Sequence, residues 1–379
     1  MTSDEATRAR PFFGRVESLR GIGALAVAAY HISGWPLHGM ALLPSVALLP
    51  AHAALMIFFV ISGFVLRVSL EYGPQKLPAA AARFFLGRVF RIYPVVIFSL
   101  LVTALLGGWQ TASHSQPARP LSAPLLFANL LLFDVSMNGA LWALQVELLM
   151  APVILLLYFL ERRQGPRVLL GIAVLTTALA YSTRWAIWPP LSTNVFPFVL
   201  GMVIPTVGRR IALVLSKRAA TCWAVGAVIA LVLPGPCLGL YSRHSAVVEA
   251  YAAAVIISLG AYRFDLAWLK CLDAKALRLL GRCSGSYYVL HMASVPTALA
   301  VAAAIIPPAW SANVPALVGF VVVFAWLVAM IPLTVCSFYL IESPGIALGR
   351  RVGHGLAAKS LVHAYLRQKR TTQIFLRSS

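Results

Sequence analysis

Long apolar stretches alternate with short polar and mostly basic stretches along almost the whole chain. Ten of the apolar stretches approach or exceed the ~20 residues that an α-helix needs to cross the roughly 30 Å hydrocarbon core of a bilayer. They cover residues 18–36, 48–66, 92–108, 139–160, 168–183, 194–208, 220–238, 246–262, 284–306 and 314–341. The pattern predicts an all-α fold, a polytopic transmembrane bundle of about ten helices.

The basic residues predict how this bundle is oriented. One further short apolar run, 121–133, is ambiguous, because the basic loops after it lie outside if it spans. If it does not span, 28 of the 31 Lys and Arg residues fall on one side. Lys and Arg concentrate on the cytoplasmic side of membrane proteins, so we expect cytoplasmic N and C termini. The three remaining basic residues, on the outer side, are Arg119, Arg184 and Arg243.

Composition supports a membrane setting. Of the 379 residues 60% are hydrophobic and 11% are charged, against about 25% charged in soluble domains. We expect a multi-pass protein of the cell (inner or plasma) membrane, with one transmembrane domain over residues 1–345 and a basic cytoplasmic tail over 346–379. The N-terminus lacks the basic and then apolar layout of a signal peptide, which predicts that the first segment remains as an anchor.

The net charge of +20 raises the question of a nucleic-acid partner. The basic residues are dispersed between apolar runs and form no basic face interleaved with aromatic residues, so we expect no such partner. The five cysteines show no CxxC spacing and no Cys/His cluster. Neither a metal site nor a disulfide framework is therefore predicted.

Ionisable side chains within apolar segments are costly in a bilayer and mark candidate functional sites. Arg20 and His31 lie about three helical turns apart in the first segment and so share one face. Glu147 enters from the outer side to about the depth of His31. Because a carboxylate beside an imidazole makes a competent general base, we predict a His31–Glu147 dyad. The alternatives are a His31 bonded to a nearby hydroxyl and a Glu147 that is protonated or structurally paired.

Two arginines begin the third apolar segment. Arg88 and Arg91 are three residues apart and lie on one helical face. Guanidinium groups bind phosphate oxygens bidentately, so this face is a candidate phosphate site. The alternative is ordinary anchoring of the segment by basic residues on the cytoplasmic side.

Smaller signals occur in the second and ninth segments. Gly63, beside Ser62, stands near the inner end of the second span, where it permits close helix packing. Ser284 and His291 lie on one face of the ninth span, and His291 alone is as consistent with a structural role as with a functional one. The chain contains no GxSxG, Walker, HExxH or dinucleotide motif in a suitable context, so a serine hydrolase, an ATPase and a zincin are unsupported.

Together and in order, six segments resemble the membrane acyltransferase type 3 family, which includes enzymes that acylate O-antigen, exopolysaccharide, Nod factors and macrolides. They are RVESLRG at 15–21 followed by Tyr30 and His31, FFVISGF at 58–64, RVFRIYP at 88–94, LWALQVE at 141–147, SYYVLH at 286–291 and ESP at 342–344. The chain departs from the family's pattern at Ala143 and Gln145, where serines are usual, and at Leu148, where many relatives carry a second acidic residue. These departures make the acceptor harder to infer.

The resemblance implies an acyltransferase that moves an acyl group from a cytoplasmic acyl-CoA, by our expectation acetyl-CoA, to a hydroxyl. The acceptor would be a carbohydrate or another compound at the membrane or its outer side. Acyl-CoA would be a substrate, and no permanently bound cofactor is expected. The competing interpretation is a transporter or flippase of a lipid-linked sugar or small anion, and a third is a non-catalytic membrane scaffold.

The resemblance also suggests a role for each candidate residue. Arg88 and Arg91, near Ser62, would bind the phosphates of the donor. His31 would deprotonate the acceptor hydroxyl while Glu147 orients it. Arg20 and His291 would position the acyl group or stabilise negative charge at its carbonyl.

Overall fold

A computed structural model describes residues 11–41, 51–106, 122–181, 193–239 and 242–353. This part of the chain is helical apart from turns and a small antiparallel hairpin of two-residue strands, Pro36–Leu37 and Met40–Ala41. The helices are α1 (Gly14–Ser33), α2 (Ala51–Glu71), α3 (Leu77–Leu105), α4 (Ala123–Leu130), α5 (Leu141–Gln164), α6 (Arg167–Ala180), α7 (Val195–Val214), α8 (Lys217–Val232), α9 (Pro234–Leu238), α10 (Arg243–Tyr262), α11 (Lys275–Arg282), α12 (Ser284–Ile305), α13 (Pro308–Asn313) and α14 (Pro315–Ser337). A 3₁₀ segment, Ala267–Asp273, precedes α11.

Seven helices in the described ranges are long and apolar enough to cross a membrane: α2, α3, α5, α7, α10, α12 and α14 with its continuation to Gly353. Three other predicted spans correspond to shorter or more polar helices. With 14 and 16 residues, α6 and α8 reach about 21 and 24 Å, less than the bilayer core. The 20-residue α1 carries charged side chains in its first half. The protein is a multi-pass helical membrane protein, and the count of ten spans and the orientation of the termini stay predictions.

The ambiguous segment 121–133 contains α4, which has eight residues. At a rise of 1.5 Å per residue this helix is only about 12 Å long, and the side chain of Ser122 accepts a hydrogen bond from Leu125 N at its start. This helix is therefore too short to cross a bilayer. Residue 121 itself lies outside the described residues, as do the predicted outer residues Arg119 and Arg184.

Helices α2 and α7 cross at two glycines. A Cβ added to Gly63 would lie 2.0 Å from the Phe198 carbonyl oxygen, and one added to Gly201 would lie 2.0 Å from the Val60 carbonyl oxygen. Since a side chain at either position would collide with the facing backbone, the two helices approach this closely only through glycine. The packing role predicted for Gly63 is confirmed.

Helix α1 runs alongside α11 and α12 in the same direction. A Cβ on Gly21 would lie 2.8 Å from Gly281 N, so Gly21 of α1 and Gly281 of α11 lie at the same level in the bundle. His31 lies ten residues after Gly21, and His291 lies ten residues after Gly281. An equal offset of about 15 Å therefore brings the two histidines to the same depth.

A buried ion pair and a buried histidine–carboxylate hydrogen bond join the helices at other points. Arg67 of α2 bonds both carboxylate oxygens of Glu161 on α5, at 3.0 Å each. Near the other end of α2, His52 Nδ1 lies 2.6 Å from Glu249 Oε2 of α10, with both side chains buried. Both contacts satisfy polar groups that would otherwise be buried without a partner, so they connect α2 to α5 and α10.

The chain remains helical after α14. A π-helical turn, Phe338–Glu342, leads into helical residues 343–353. The predicted basic tail begins at 346, within this helical stretch, and residues 354–379 lie outside the described residues.

Candidate active site

The two histidines of the sequence motifs meet inside the bundle. His31 Nδ1 on α1 lies 3.0 Å from His291 Nε2 on α12, and the rings stack with centroids 5.0 Å apart and planes inclined by 22°. His291 is fully buried, whereas His31 is half-buried. The pair therefore has one enclosed ring and one ring that borders accessible space.

The shared proton of this contact decides what His31 can do. In a neutral imidazole one nitrogen donates and the other accepts. If His31 donates from Nδ1 to His291 Nε2, its own Nε2 keeps a lone pair and can take a proton from a hydroxyl. If His291 donates instead, His31 Nε2 carries a hydrogen and can only donate. A general base at His31 requires the first arrangement.

Glu147 does not contact His31 in this structure. Its Oε1 accepts a hydrogen bond from Arg88 Nη1 at 2.6 Å, in an ion pair whose side chains are 19% and 11% exposed. The predicted His31–Glu147 dyad is corrected to a Glu147–Arg88 pair. The physical reason is that a carboxylate at low dielectric is stabilised more by a permanent cation than by a neutral imidazole, and α3 supplies that cation at the depth of Glu147.

Arg20 and Arg91 differ from Arg88. Within the described residues neither guanidinium makes a hydrogen bond or an ion pair, and both side chains are half-buried. The charge of Arg91 disfavours the charged form of Arg20, and the charges of Glu147, Glu342 and Glu17 favour it. Two half-buried and unpaired cations of this kind form a candidate anion site.

Ser62 lies toward the same end of the bundle as these arginines. A Cβ on Gly23 of α1 would lie 3.4 Å from the Phe58 ring of α2, and Ser62 follows Phe58 by one helical turn. Because α1 and α2 run in opposite directions, Ser62 falls near the level of Arg20. Its hydroxyl has no hydrogen-bond partner in the described part of the chain, and its contact with a donor stays a prediction.

The closing ESP motif contributes a buried carboxylate. Glu342, 2% exposed, accepts a hydrogen bond from Ser286 Oγ at 2.8 Å, and Ser337 Oγ donates to Ser286 Oγ at 3.2 Å. This network ties the π-helical turn to α12 five residues before His291. Glu342 therefore joins the last helical stretch of the described residues to the helix that carries His291.

Asn138, a neutral polar residue just before α5, was not predicted from the sequence. It is 1% exposed, and its Nδ2 donates to the Val289 carbonyl of α12 at 2.8 Å. The available signal was an uncharged side chain at the start of an apolar segment. A search restricted to ionisable groups passes over such a residue.

Comparison with known proteins identifies the family. A family model described as an acyltransferase domain, of the type 3 acyltransferases, matches residues 13–335, which is most of the chain. Comparisons with curated proteins and with solved structures gave no match. The match includes α1 with His31, α3 with its arginines, α5 with Glu147 and α12 with His291, and the chain therefore belongs to the acyltransferase 3 family of membrane acyltransferases.

Proposed function

We propose that the protein is an O-acyltransferase of the cell membrane that transfers an acyl group, acetyl by our expectation, from acyl-CoA to a hydroxyl. The acceptor would be a carbohydrate or another compound at or beyond the membrane. The observation that carries this proposal is the 3.0 Å contact between His31 and His291, about three helical turns from the unpaired Arg20. A base and an anion site at two depths suit a long donor with phosphates at one end and a thioester at the other.

The donor binds with its phosphates on Arg20 and Arg91. This assignment keeps Arg91 from the predicted phosphate pair and replaces Arg88, whose guanidinium is occupied by Glu147. Arg20 and His31 are separated by eleven residues of α1, about 16 Å along the helix axis. The pantetheine arm of coenzyme A is long enough to bridge this separation, so the thioester reaches the histidines while the phosphates stay on the arginines.

The transfer step requires one proton acceptor. His31 Nε2 takes the proton of the acceptor hydroxyl while the hydroxyl oxygen attacks the thioester carbonyl carbon. The carbon–sulfur bond then breaks, and the coenzyme A thiolate leaves and takes up the proton from the imidazolium. His291 Nε2 accepts a hydrogen bond from His31 Nδ1 and so stabilises that imidazolium. The products are the acylated hydroxyl and coenzyme A.

The proposal is tested with inverted membrane vesicles and radiolabelled acetyl-CoA. Vesicles containing the protein should transfer label to vesicle-bound or released material faster than vesicles without it, and His31→Ala should abolish the difference. Wild-type vesicles that neither transfer label nor release free coenzyme A, with acetyl-CoA or with longer acyl-CoA, would contradict the proposal. Movement of a sugar without acyl transfer would favour the transporter interpretation.

The donor site makes a separate prediction. Arg91→Ala should raise the KM for acetyl-CoA by a factor that corresponds to about 1.5–3 kcal/mol, the free energy of a charged hydrogen bond. Arg91→Lys should recover only part of the lost affinity, because the planar guanidinium fork is lost. Arg88→Ala should instead lower stability and turnover, since it leaves Glu147 buried without its cation. The matched control is Arg210→Ala, an exposed arginine on α7. Equal effects on KM at positions 88, 91 and 210 would reject the donor site.

A further inference from the structure

The side-chain amide of Asn138 joins two helices of the candidate site. Its Oδ1 accepts a hydrogen bond from Ala140 N, at the start of α5, at 3.0 Å. Its Nδ2 donates across the bundle to the Val289 carbonyl of α12 at 2.8 Å. The two ends of one buried amide therefore hold the helix of Glu147 against the helix of His291.

The contact falls on both sides of His291. Val289 precedes His291 by two residues, and a Cβ on Gly139 would lie 3.6 Å from Met292 Cε, one residue after His291. Residues 138 and 139 thus pack on α12 at the turn that carries the histidine. The rotation of this turn sets the distance between His291 Nε2 and His31 Nδ1.

Helix α12 needs outside support at this point. Pro296 lies within the helix and has no N–H, so the Met292 carbonyl lacks its usual backbone partner four residues on. The helix is therefore weakened directly after His291. The hydrogen bond from Asn138 fixes the Val289 carbonyl about one turn before this interruption, so it holds the turn that carries His291 from outside the helix.

We propose that Asn138 is a positioning residue: it holds α12 so that His291 meets His31 and directs the His31 lone pair toward the acceptor. The inference rests on the proposed function, because the tautomer of His31 matters only if His31 is the general base. Asn138 does not touch the reacting atoms and acts through His291. A misplacement of a catalytic group by about 1 Å can slow a reaction by about 100-fold.

The first test uses Asn138→Ser. A serine at this position can still accept from Ala140 N in the turn before α5, but it is too short to reach Val289. The matched control is Asn129→Ser, because Asn129 is equally buried, accepts from Met137 N at 3.1 Å and bonds Leu125 O rather than α12. Acetyl transfer in inverted vesicles is measured per folded protein, quantified by fluorescence-detected size exclusion. We expect kcat to fall about 10-fold or more in Asn138→Ser, with the KM for acetyl-CoA unchanged and the control near wild type.

The second test uses Asn138→Asp and pH. A protonated carboxyl can still donate to the Val289 carbonyl, whereas a carboxylate cannot, so the ratio of variant to wild-type kcat should fall as the pH rises. Asn129→Asp should show a ratio that does not vary with pH. Wild-type kcat in Asn138→Ser, an equal loss in both serine variants, a loss confined to KM, or a pH-independent ratio would overturn the positioning role. Absence of transfer by the wild-type protein would instead reject the proposed function.

Discussion

A single proton lies between His31 Nδ1 and His291 Nε2, which are 3.0 Å apart. His291 is fully buried, so water cannot solvate a charge on its ring, and the ring is best suited to accept a hydrogen bond while it stays neutral. The half-buried His31 ring is the member of the pair that a substrate can approach. The chemistry assigned to His31 therefore depends on a partner that the substrate does not touch.

This dependence predicts non-additive mutations. His31→Ala should lower turnover by about 10²–10⁴-fold, the range of general base catalysis. His291→Ala should lower it by less, and the double variant should be little worse than His31→Ala because the two rings act as one unit. His291→Gln should recover part of the loss, since its amide oxygen can accept from His31 Nδ1. Losses that multiply in the double variant would show that the two histidines act independently.

The sequence points to candidate site residues but not to the contacts between them. Arg20, His31, Glu147 and His291 stand out as ionisable groups in apolar segments. Whether Glu147 meets His31 or Arg88 depends on the order and rotation of the helices in the bundle. No single segment carries that information, so the dyad was predicted between residues of similar depth on helices that do not bring them into contact.

At the scale of helices, the apolar pattern locates the membrane-buried part of an element and not its ends. The predicted segment 48–66 stops before Arg67, yet α2 continues to Glu71, and Arg67 pairs with Glu161 within this last part of the helix. The segment 92–108 likewise misses the first 15 residues of α3, which begins at Leu77. Those basic turns are helical although their polarity separates them from the apolar run.

The crossing of α2 and α7 predicts a sharp effect of one methyl group. Gly63→Ala should lower the thermal midpoint, because the new Cβ would lie 2.0 Å from the Phe198 carbonyl oxygen and overpacking costs about 1–3 kcal/mol. The matched control is Gly226→Ala on α8, where nothing lies within 4 Å of a new Cβ. That variant should be neutral or slightly stabilising, because alanine favours helix over glycine by up to about 1 kcal/mol. Thermal unfolding followed by size exclusion distinguishes the two, and equal midpoints would contradict the close crossing.

The segment between α10 and α12 is fastened to the start of α1 by charge. Asp273 bonds Arg15 at 2.8 Å and Arg278 at 2.8 Å. The hydrogen bond from Arg15, followed by that from Arg278, holds the pKa of the Asp273 carboxyl below its usual value. This segment also carries Gly281, which contacts Gly21 one residue from Arg20. Loosening the segment would therefore disturb the candidate anion site.

The lowered pKa of Asp273 predicts a pH dependence with a definite sign. A carboxylate with a depressed pKa in the folded state stabilises the fold above the unfolded value of about 3.9, and this stabilisation is lost as the pH falls through the folded pKa. Asp273→Asn should therefore lower the thermal midpoint at neutral pH. The difference from wild type should shrink as the pH falls below about 4 and disappear only below the folded pKa of Asp273. A difference that stays constant down to pH 3 would show that the ionised carboxylate is not responsible.

For the whole molecule, composition predicted the class and the charge distribution predicted an orientation. A chain that is 60% hydrophobic and 11% charged leaves a membrane bundle as the architecture that can bury its apolar surface, and the structure confirms a helical membrane protein. The number of spans was harder to predict, because short helices such as α6 and α8 have apolar sequences without the length to cross a bilayer alone. Packing against neighbouring helices and local tilt decide the depth of these helices, and neither can be predicted from the sequence of one segment.

The last prediction tests the orientation with cysteines that the chain already contains. Cys237 lies in α9 and Cys271 in the 3₁₀ segment, both are exposed, and α10 separates them. The bias of Lys and Arg places Cys271 on the cytoplasmic side and Cys237 outside. In single-cysteine variants an impermeant thiol reagent added to intact cells should label Cys237, and should label Cys271 only after the membrane is permeabilised. Total reactivity in detergent serves as the control for each thiol. The reverse pattern would show that the bundle has the opposite orientation. Labelling of both cysteines from one side would show that α10 does not cross the membrane.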